Sequence, residues 1–281
     1  MLITDITIVI TTFNSNLVLN NCLKSIDKNC KVIVVENSNN EKFKNNIESN
    51  YTNVSCFLAG KNLGYGKANN IGLKKVKTKY ALILNPDTKL YQSTLKNFIE
   101  VTKKIPDFAI IGPYSEEEQN QSSKNRIINL KPISVKSVKG FAMFLKMSEF
   151  NEVGFFDESF FIYFEEIDLC RRLIRNNKKI YLAPEVKIFH AGGQSHDKRV
   201  DRELEMSRNW HWMWSTFNYH KKYKGYLISF VIILPKLISS FFKFIIFSMI
   251  LNKEKKNIYY QRFSGLLNAI IGRSSWYRPR L

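Results

Sequence analysis

Two groups of carboxylates and one histidine in this 281-residue sequence stand where chemistry could be done. Asp87 closes the tripeptide Asn85-Pro86-Asp87, directly after the apolar run Tyr80-Ala81-Leu82-Ile83-Leu84. If that run is a strand, Asp87 projects as an exposed carboxylate from the carboxyl edge of a sheet. One carboxylate beside a diphosphate is a common way to hold Mg2+ or Mn2+, because these hard cations keep few protein ligands and take the rest from phosphate. An Asn-Pro-Asp turn with no ligand role is the competing reading. His190 follows Val186-Lys187-Ile188-Phe189 and precedes Ala191-Gly192-Gly193. A lone histidine is more often structural, but paired with Asp87 its imidazole would suit Mn2+. His196, in polar surroundings, is the weaker ligand candidate.

Glu165, Glu166 and Asp168 crowd three carboxylates into four positions at the start of a helical pattern. Acids in a first turn complement the helix dipole, which is reason enough for them to be there. The functional reading is a general base whose pKa the neighbouring carboxylates raise. Glu165 and Asp168 are three apart and share a face, whereas Glu166 points about 100° away. The run Asn62-Leu63-Gly64-Tyr65-Gly66-Lys67-Ala68-Asn69-Asn70 is a glycine-containing turn entering a helix, suited to close approach by a phosphate or sugar. It is not a dinucleotide fingerprint, since Asn69 stands where GxGxxG needs glycine, and no GxxxxGK[ST] occurs.

The elements that must position these groups are short. Strands are predicted at Ile6–Ile10, Lys31–Val35, Val54–Leu58 and Tyr80–Leu84, alternating with helix-length segments near 15–28, 39–49 and 65–76. Near-continuous apolar strands alternating with helices imply an α/β fold with a mostly parallel sheet, covered on both faces. Ligands of such sheets bind beyond the carboxyl ends of the strands, where Thr11, Thr12, Phe13, Asn14, Glu36, Asn37, Ser38, Asn62 and Asp87 fall. The polar stretch from Pro113 to Pro132 reads as a mobile loop. Order is expected again at Val138–Leu145, then a helix from the acidic segment to about Asn176-Asn177, then a strand at Val186–Phe189. The remainder from about Val200 reads as helical.

Hydrophobic content of 44% and aromatic content of 14% exclude wholesale disorder. Cys22, Cys30, Cys56 and Cys170 show no CxxC pairing and read as reduced, partly buried thiols of a cytoplasmic protein. The first residues lack the basic start of a signal peptide. The net charge is +19, and from Lys198 onward sixteen Lys and Arg face four Asp and Glu. Such a segment suits nucleic acid or an anionic membrane. The apolar run Tyr226–Leu251 decides for membrane. It could span a bilayer by length, but Pro235, Lys236 and Lys243 interrupt it. Ser229, Lys236 and Lys243 recur at sevens with Ser239 and Ser240 beside them, a polar stripe that suits a helix lying in the interface.

The ordered set Val9-Ile10-Thr11-Thr12-Phe13-Asn14, Glu36-Asn37-Ser38, Asn62-Leu63-Gly64-Tyr65-Gly66, Leu84-Asn85-Pro86-Asp87, Val153-Gly154-Phe155-Phe156-Asp157-Glu158, Tyr163-Phe164-Glu165-Glu166-Ile167-Asp168-Leu169-Cys170 and His190 resembles family 2 glycosyltransferases. The resemblance covers roughly residues 5–220 and is nearest to the rhamnosyltransferase-like enzymes of bacterial surface-polysaccharide assembly. It implies a GT-A fold over residues 1–220, with a helical, basic appendage over 221–281. It implies an inverting transfer of a sugar, with rhamnose suggested by the branch, from a nucleoside-diphosphate donor to a hydroxyl of a glycan or lipid-linked acceptor. By resemblance, Thr11, Phe13 and Asn14 line the nucleotide, Glu36 faces the base or ribose, and Asn62, Gly64 and Asn70 flank the nucleotide-sugar. Asp87 and His190 hold the divalent metal, and Glu166 is the base where the family usually has Asp. Arg172 and Arg208 balance charge on the diphosphate. The implied location is cytoplasmic, peripheral at the inner face of the membrane, with no nucleic-acid partner. The rival readings are an inactive protein of this fold that binds membrane or nucleic acid, and a nucleotidyltransferase, which would release pyrophosphate.

Overall fold

A computed structural model describes residues 2–13, 15–115, 131–192 and 201–279. Asn14, His196 and the stretch 116–130 lie outside the described residues. The chain divides into two compact units, Met1–Phe156 with Glu166–Asp197, and Asp157–Glu165 with Lys198–Leu281.

The first unit is built on a nine-stranded sheet. Its opening half follows the sequence closely: strands β1 (Ile6–Thr12), β2 (Lys31–Glu36), β3 (Val54–Leu58) and β4 (Tyr80–Leu84) alternate with helices α1 (Asn16–Lys24), α2 (Glu41–Asn50) and α3 (Tyr65–Leu73). β1 pairs in parallel with β2 and β4, and β2 pairs in parallel with β3. Side chains alternate between faces. Ile6, Ile8, Ile10, Val32 and Val34 join Leu19, Phe43, Ile47 and Phe98 in one apolar layer. Val9, Ile33, Val35, Ala81 and Ile83 join Ala68, Leu73, Leu169 and Leu173 in the other. This period of two, with helices over both faces, is why the strands read as unbroken apolar runs.

Beyond β4 the expectation of a mostly parallel sheet gives way to a mixed one. The further elements are β5 (Thr88–Leu90), α4 (Thr94–Lys104), β6 (Ile110–Tyr114), β7 (Ile133–Ser134), β8 (Ala142–Lys146), α5 (Glu165–Arg175) and β9 (Ile180–His190). The sheet order is β3-β2-β1-β4-β8-β6-β9-β5, with β7 on β9. β8 is antiparallel to both β4 and β6, and β5 is antiparallel to β9. The last strand is eleven residues long rather than the four predicted, because Pro184 and Glu185 interrupt the apolar pattern at its middle. The antiparallel pairs matter to function, since they return later segments to the carboxyl edge of β4.

The second unit gathers Asp157–Glu165 with helices α6 (Asp201–Lys224), α7 (Tyr226–Met249) and α8 (Lys253–Ile270). The helix 201–224 thus sits with the last two helices. Its core is aromatic: Phe160, Trp210, Met213, Trp214, Phe217, Ile233, Leu266 and Ala269. Gly265 lets α8 approach α6 backbone to backbone, since a Cβ there would stand 2.3 Å from the Trp210 carbonyl oxygen. The residues after α8 are pinned by ring nitrogens: Trp214 donates to the Arg273 carbonyl and Trp276 to Asn268 Oδ1. Tyr163 and Phe164 both take φ of 70°, an uncommon conformation for bulky residues, immediately before Glu165.

Candidate active site

The site is organised by the β5–β9 pairing. Thr88 opposes His190 in that antiparallel register, and the Ala191 amide donates to the Asp87 carbonyl at 3.1 Å. Two residues 103 positions apart are thereby neighbours, with His190 Nε2 3.6 Å from Asp87 Oδ1. The imidazole is fixed by stacking on Phe141, centroids 4.4 Å apart and planes within 9°. The expectation of an exposed Asp87 is corrected: the residue is 4% exposed, because β9 and the chain before β8 close over the post-strand turn. Its Oδ1 finds no hydrogen-bond partner among the described residues. A buried carboxylate oxygen lacking a donor is unfavourable by about 1–3 kcal/mol, and such groups in a native fold call for a functional explanation. A hard divalent cation fits this donor set, carboxylate plus imidazole, with remaining positions for diphosphate and water. No group of three or more His, Cys, Asp or Glu side chains that could hold a metal occurs among the described residues.

Further polar atoms are collected at the carboxyl ends of β1 and β2. Thr11 and Thr12 each bury a hydroxyl with no partner among the described residues. Phe13 is held by a reciprocal turn, its amide donating to Ser15 Oγ and its carbonyl accepting from the same hydroxyl. Glu36 is buried at the end of β2 and accepts from both the amide and the hydroxyl of Ser38. Asn37, placed by sequence beyond the end of β2 but given no role there, is the organiser of the glycine turn. Its amide nitrogen donates to Asn62 Oδ1 and the Gly64 carbonyl, while its Oδ1 accepts from the Leu63 amide. Asn62 also accepts from the Gly64 amide, and Gly64 at φ of 83° turns the chain into α3.

Glu166 stands near the same edge. A Cβ built on Gly140 would lie 3.8 Å from the Glu166 Cβ and 3.6 Å from the Tyr65 hydroxyl. That hydroxyl donates to the Gly140 carbonyl. The next residue, Phe141, accepts from the Asn85 amide at 2.8 Å and stacks on His190. The dipeptide Gly140-Phe141 therefore links the Asp87–His190 pair to the neighbourhood of Glu166 and Tyr65. Nothing in its composition marked it, because its role comes from an antiparallel strand paired across sixty residues. Burial pushes the Glu166 carboxyl above its ordinary range, against backbone amides at the helix start that pull it down. The neighbouring carboxylates, expected from sequence to raise it, are not the main cause. A raised carboxyl suits proton abstraction near neutral pH.

Two residues assigned to the donor by resemblance are otherwise engaged. Asn70 clamps the backbone of Phe156, donating to its carbonyl at 2.9 Å and accepting its amide at 3.0 Å. Arg172 donates to Asp168 and to the carbonyls of Val153 and Phe155. Both therefore brace the segment 153–156. Asp168 is fully buried in that brace, so its place at the helix start is structural. All four cysteines are free and buried, and burial pushes each thiol up to about 12, so none is a nucleophile near neutrality.

Residues 7–171 match the family described as Glycosyl transferase family 2. The chain is 25% identical over 210 residues to the low-salt glycan biosynthesis hexosyltransferase Agl10 of Haloferax volcanii, a match covering 66% of this chain and 67% of that protein. It is 27% identical over 230 residues to the rhamnosyltransferase WbbL of Escherichia coli K12, covering 70% and 84%. Among solved structures it is similar to the mannosyltransferase PcManGT of Pyrobaculum calidifontis in complex with GDP-Man and Mn2+, with a TM-score of 0.61 and 12% identity, covering 95% and 87%. It spans only 43% of the longer chain of GalNAc-T7, also similar in fold.

Proposed function

This chain belongs to glycosyl transferase family 2, and on that premise we propose that Asp87 and His190 hold a divalent cation, Glu166 is the base, and the acceptor is a lipid-linked glycan at an anionic membrane. It is a glycosyltransferase of the GT-A fold, related to hexosyl- and rhamnosyltransferases of glycan assembly. The donor in this reading is a nucleoside-diphosphate hexose or 6-deoxyhexose, with rhamnose the first to test. The observation that carries the metal role is the buried, donor-less Oδ1 of Asp87 at 3.6 Å from His190 Nε2.

Thr11, Thr12 and Phe13, with Glu36 and the turn that Asn37 holds at Asn62–Gly64, would bind and orient the nucleotide. Glu166 would take the proton from the acceptor hydroxyl. The freed oxygen forms its bond to the anomeric carbon from the face opposite the leaving group, and the bond from that carbon to the diphosphate oxygen breaks, inverting the centre. A bound divalent cation would supply neutralisation of charge on the departing diphosphate.

Support for the membrane comes from the second unit and the segment after residue 220. α7 is long and apolar enough to cross a bilayer, and large apolar side chains on it are bare, Leu227 79% and Phe242 57% exposed. Continuous exposure of this kind marks a protein or membrane interface. Spanning is disfavoured by its partner: α8 runs back along α7 through Phe241–Phe263, Phe244–Tyr260 and Phe247–Tyr259 contacts. A spanning α7 would carry its own Lys236 and Lys243, and Arg262 beside the Phe241–Phe263 contact, into hydrocarbon. The hairpin instead suits the interface, at the cytoplasmic side of the membrane, with lysines at both ends of α7 meeting anionic lipid.

The test is incubation with UDP-, GDP- and dTDP-sugars and Mn2+, reading products by phosphate chemistry. Release of nucleoside diphosphate, lost on chelation, supports the assignment. Release of pyrophosphate from a nucleoside triphosphate and a sugar 1-phosphate, supplied in a parallel incubation, would make it a nucleotidyltransferase, and turnover at the full rate in excess chelator would refute the metal role.

A further inference from the structure

The polar stripe on α7 has no part in the transfer just described, yet it lines a built cleft. Within the second unit, a cleft of about 370 Å3 is lined by Trp212, Lys236, Ser239, Lys243, Tyr259 and Arg262. Three cations converge on it. Lys243 Nζ and Arg262 Cζ lie 5.2 and 5.3 Å from the ring centre of Tyr259. Arg262 is oriented by one bond, Nε to Asn209 Oδ1 at 2.7 Å, and Asn209 is itself tied to the Glu205 carbonyl. Among the described residues, no carboxylate pairs with Lys236, Lys243 or Arg262. Cations gathered without an acid repel one another, and that arrangement is favourable only when an anion joins them.

The position of the cleft narrows the anion. Lys236, Ser240 and Lys243 follow helical spacing along one edge of α7, and the bare side chains of Phe242, Ile246 and Met249 lie around from them on the same helix. A ligand seated here would meet cations with its head and an exposed apolar surface with its body. A phosphodiester lipid headgroup carries one negative charge, whereas a diphosphate joining a lipid to a sugar carries about two, the better match to three cations without an acid partner. We propose that this cleft binds the diphosphate head of a long-chain lipid, the carrier of the acceptor. The inference rests on the membrane reading above and deepens it, giving the acceptor's anionic head a site separate from the one that holds the donor.

The experiment uses the full-length protein and phosphatidylcholine vesicles doped, at matched surface charge, with either a polyprenyl diphosphate or phosphatidylglycerol. Wild type is expected to favour the polyprenyl diphosphate vesicles about tenfold, and the doubly substituted Lys236→Gln/Lys243→Gln protein to favour neither. A control, Lys255→Gln/Lys256→Gln outside the cleft, is expected to weaken binding to both vesicles equally and keep the preference. Wild type without a preference, or a cleft variant that retains it, overturns the proposal. If inorganic pyrophosphate alone binds wild type as tightly as the lipid does, the cleft is a site for soluble anions and the lipid assignment is wrong. Failure of the underlying readings shows separately. A protein that ignores phosphatidylglycerol vesicles too has no membrane surface, and one that hydrolyses no donor is not the proposed transferase whatever the cleft does.

Discussion

Replacing Asp87 with Asn separates a ligand from a structural acid by a reversal of stability. In the protein without metal, the wild-type carboxylate buries an oxygen with no donor, a disadvantage of about 1–3 kcal/mol that an uncharged amide of the same shape reduces. Asp87→Asn is therefore expected to be more stable than wild type in chelator by about 1 kcal/mol, roughly 2–4 °C in Tm for a unit of this size. With Mn2+ and a nucleoside diphosphate at about a hundred times Kd, wild type gains about 2.7 kcal/mol, and its Tm rises by roughly 5–10 °C. The variant lacks the ligand that would capture this gain, so the order of the two proteins inverts. The assay is thermal and urea denaturation of both proteins, in chelator and in Mn2+ with UDP, GDP or dTDP. If Asp87→Asn keeps the full metal-dependent shift, Asp87 does not hold the cation. If the variant loses more than about 2 kcal/mol in chelator, Asp87 is a structural residue and the argument from its unpaired oxygen is wrong.

Three other outcomes follow from the same geometry. Glu166→Gln is expected to lower kcat by 10²-fold or more while donor binding survives, and Glu166→Asp to keep partial activity; because the folded carboxyl lies above 4.5 and the base must be ionised, kcat/KM should rise with pH along a limb displaced upward, which a wild-type profile flat down to pH 4.5 would contradict. Asn37→Ala should raise KM for donor with a smaller effect on kcat, since the side chain holds the Asn62–Gly64 turn and does not touch the reacting atoms; steady-state kinetics in which only kcat falls would show otherwise. His211, fully buried against Phe161 and bonded to the Tyr277 carbonyl, has its pKa pushed down by burial to about 3. The unfolded chain therefore takes up a proton first as pH falls from 6.5. Stability contributed by the neutral ring is full above that value and should drop by about 2 kcal/mol between pH 7 and 5. Urea unfolding of His211→Gln should lose that share of the slope, and an unchanged slope would count against it.

Much of the first unit was legible in the sequence, because four apolar runs of strand length and the helices between them are local patterns. β1 to β4 fall within two residues of where the alternation put them, and the carboxyl ends of those strands do gather Thr11, Phe13, Glu36, Asn62 and Asp87. Residue chemistry alone also marked Asp87 and His190 as a pair of ligand types. Their nearness could not be read, since it comes from Thr88 opposing His190 in an antiparallel register, and strand pairing at a separation of a hundred residues leaves no periodic trace. Tertiary contacts likewise decided that Asp87 is buried rather than exposed. They tied the side chains of Asn70 and Arg172 to backbone that no short motif identifies as a partner. The stripe on α7 was visible as residues recurring at sevens. That it edges a cleft depended on Tyr259 and Arg262, which α8 supplies only once Gly265 has let it close on the Trp210 backbone. Local pattern determined the elements and the edge where a ligand binds, while side-chain partners waited on packing, because hydrogen bonds and burial are satisfied by whichever distant segment arrives.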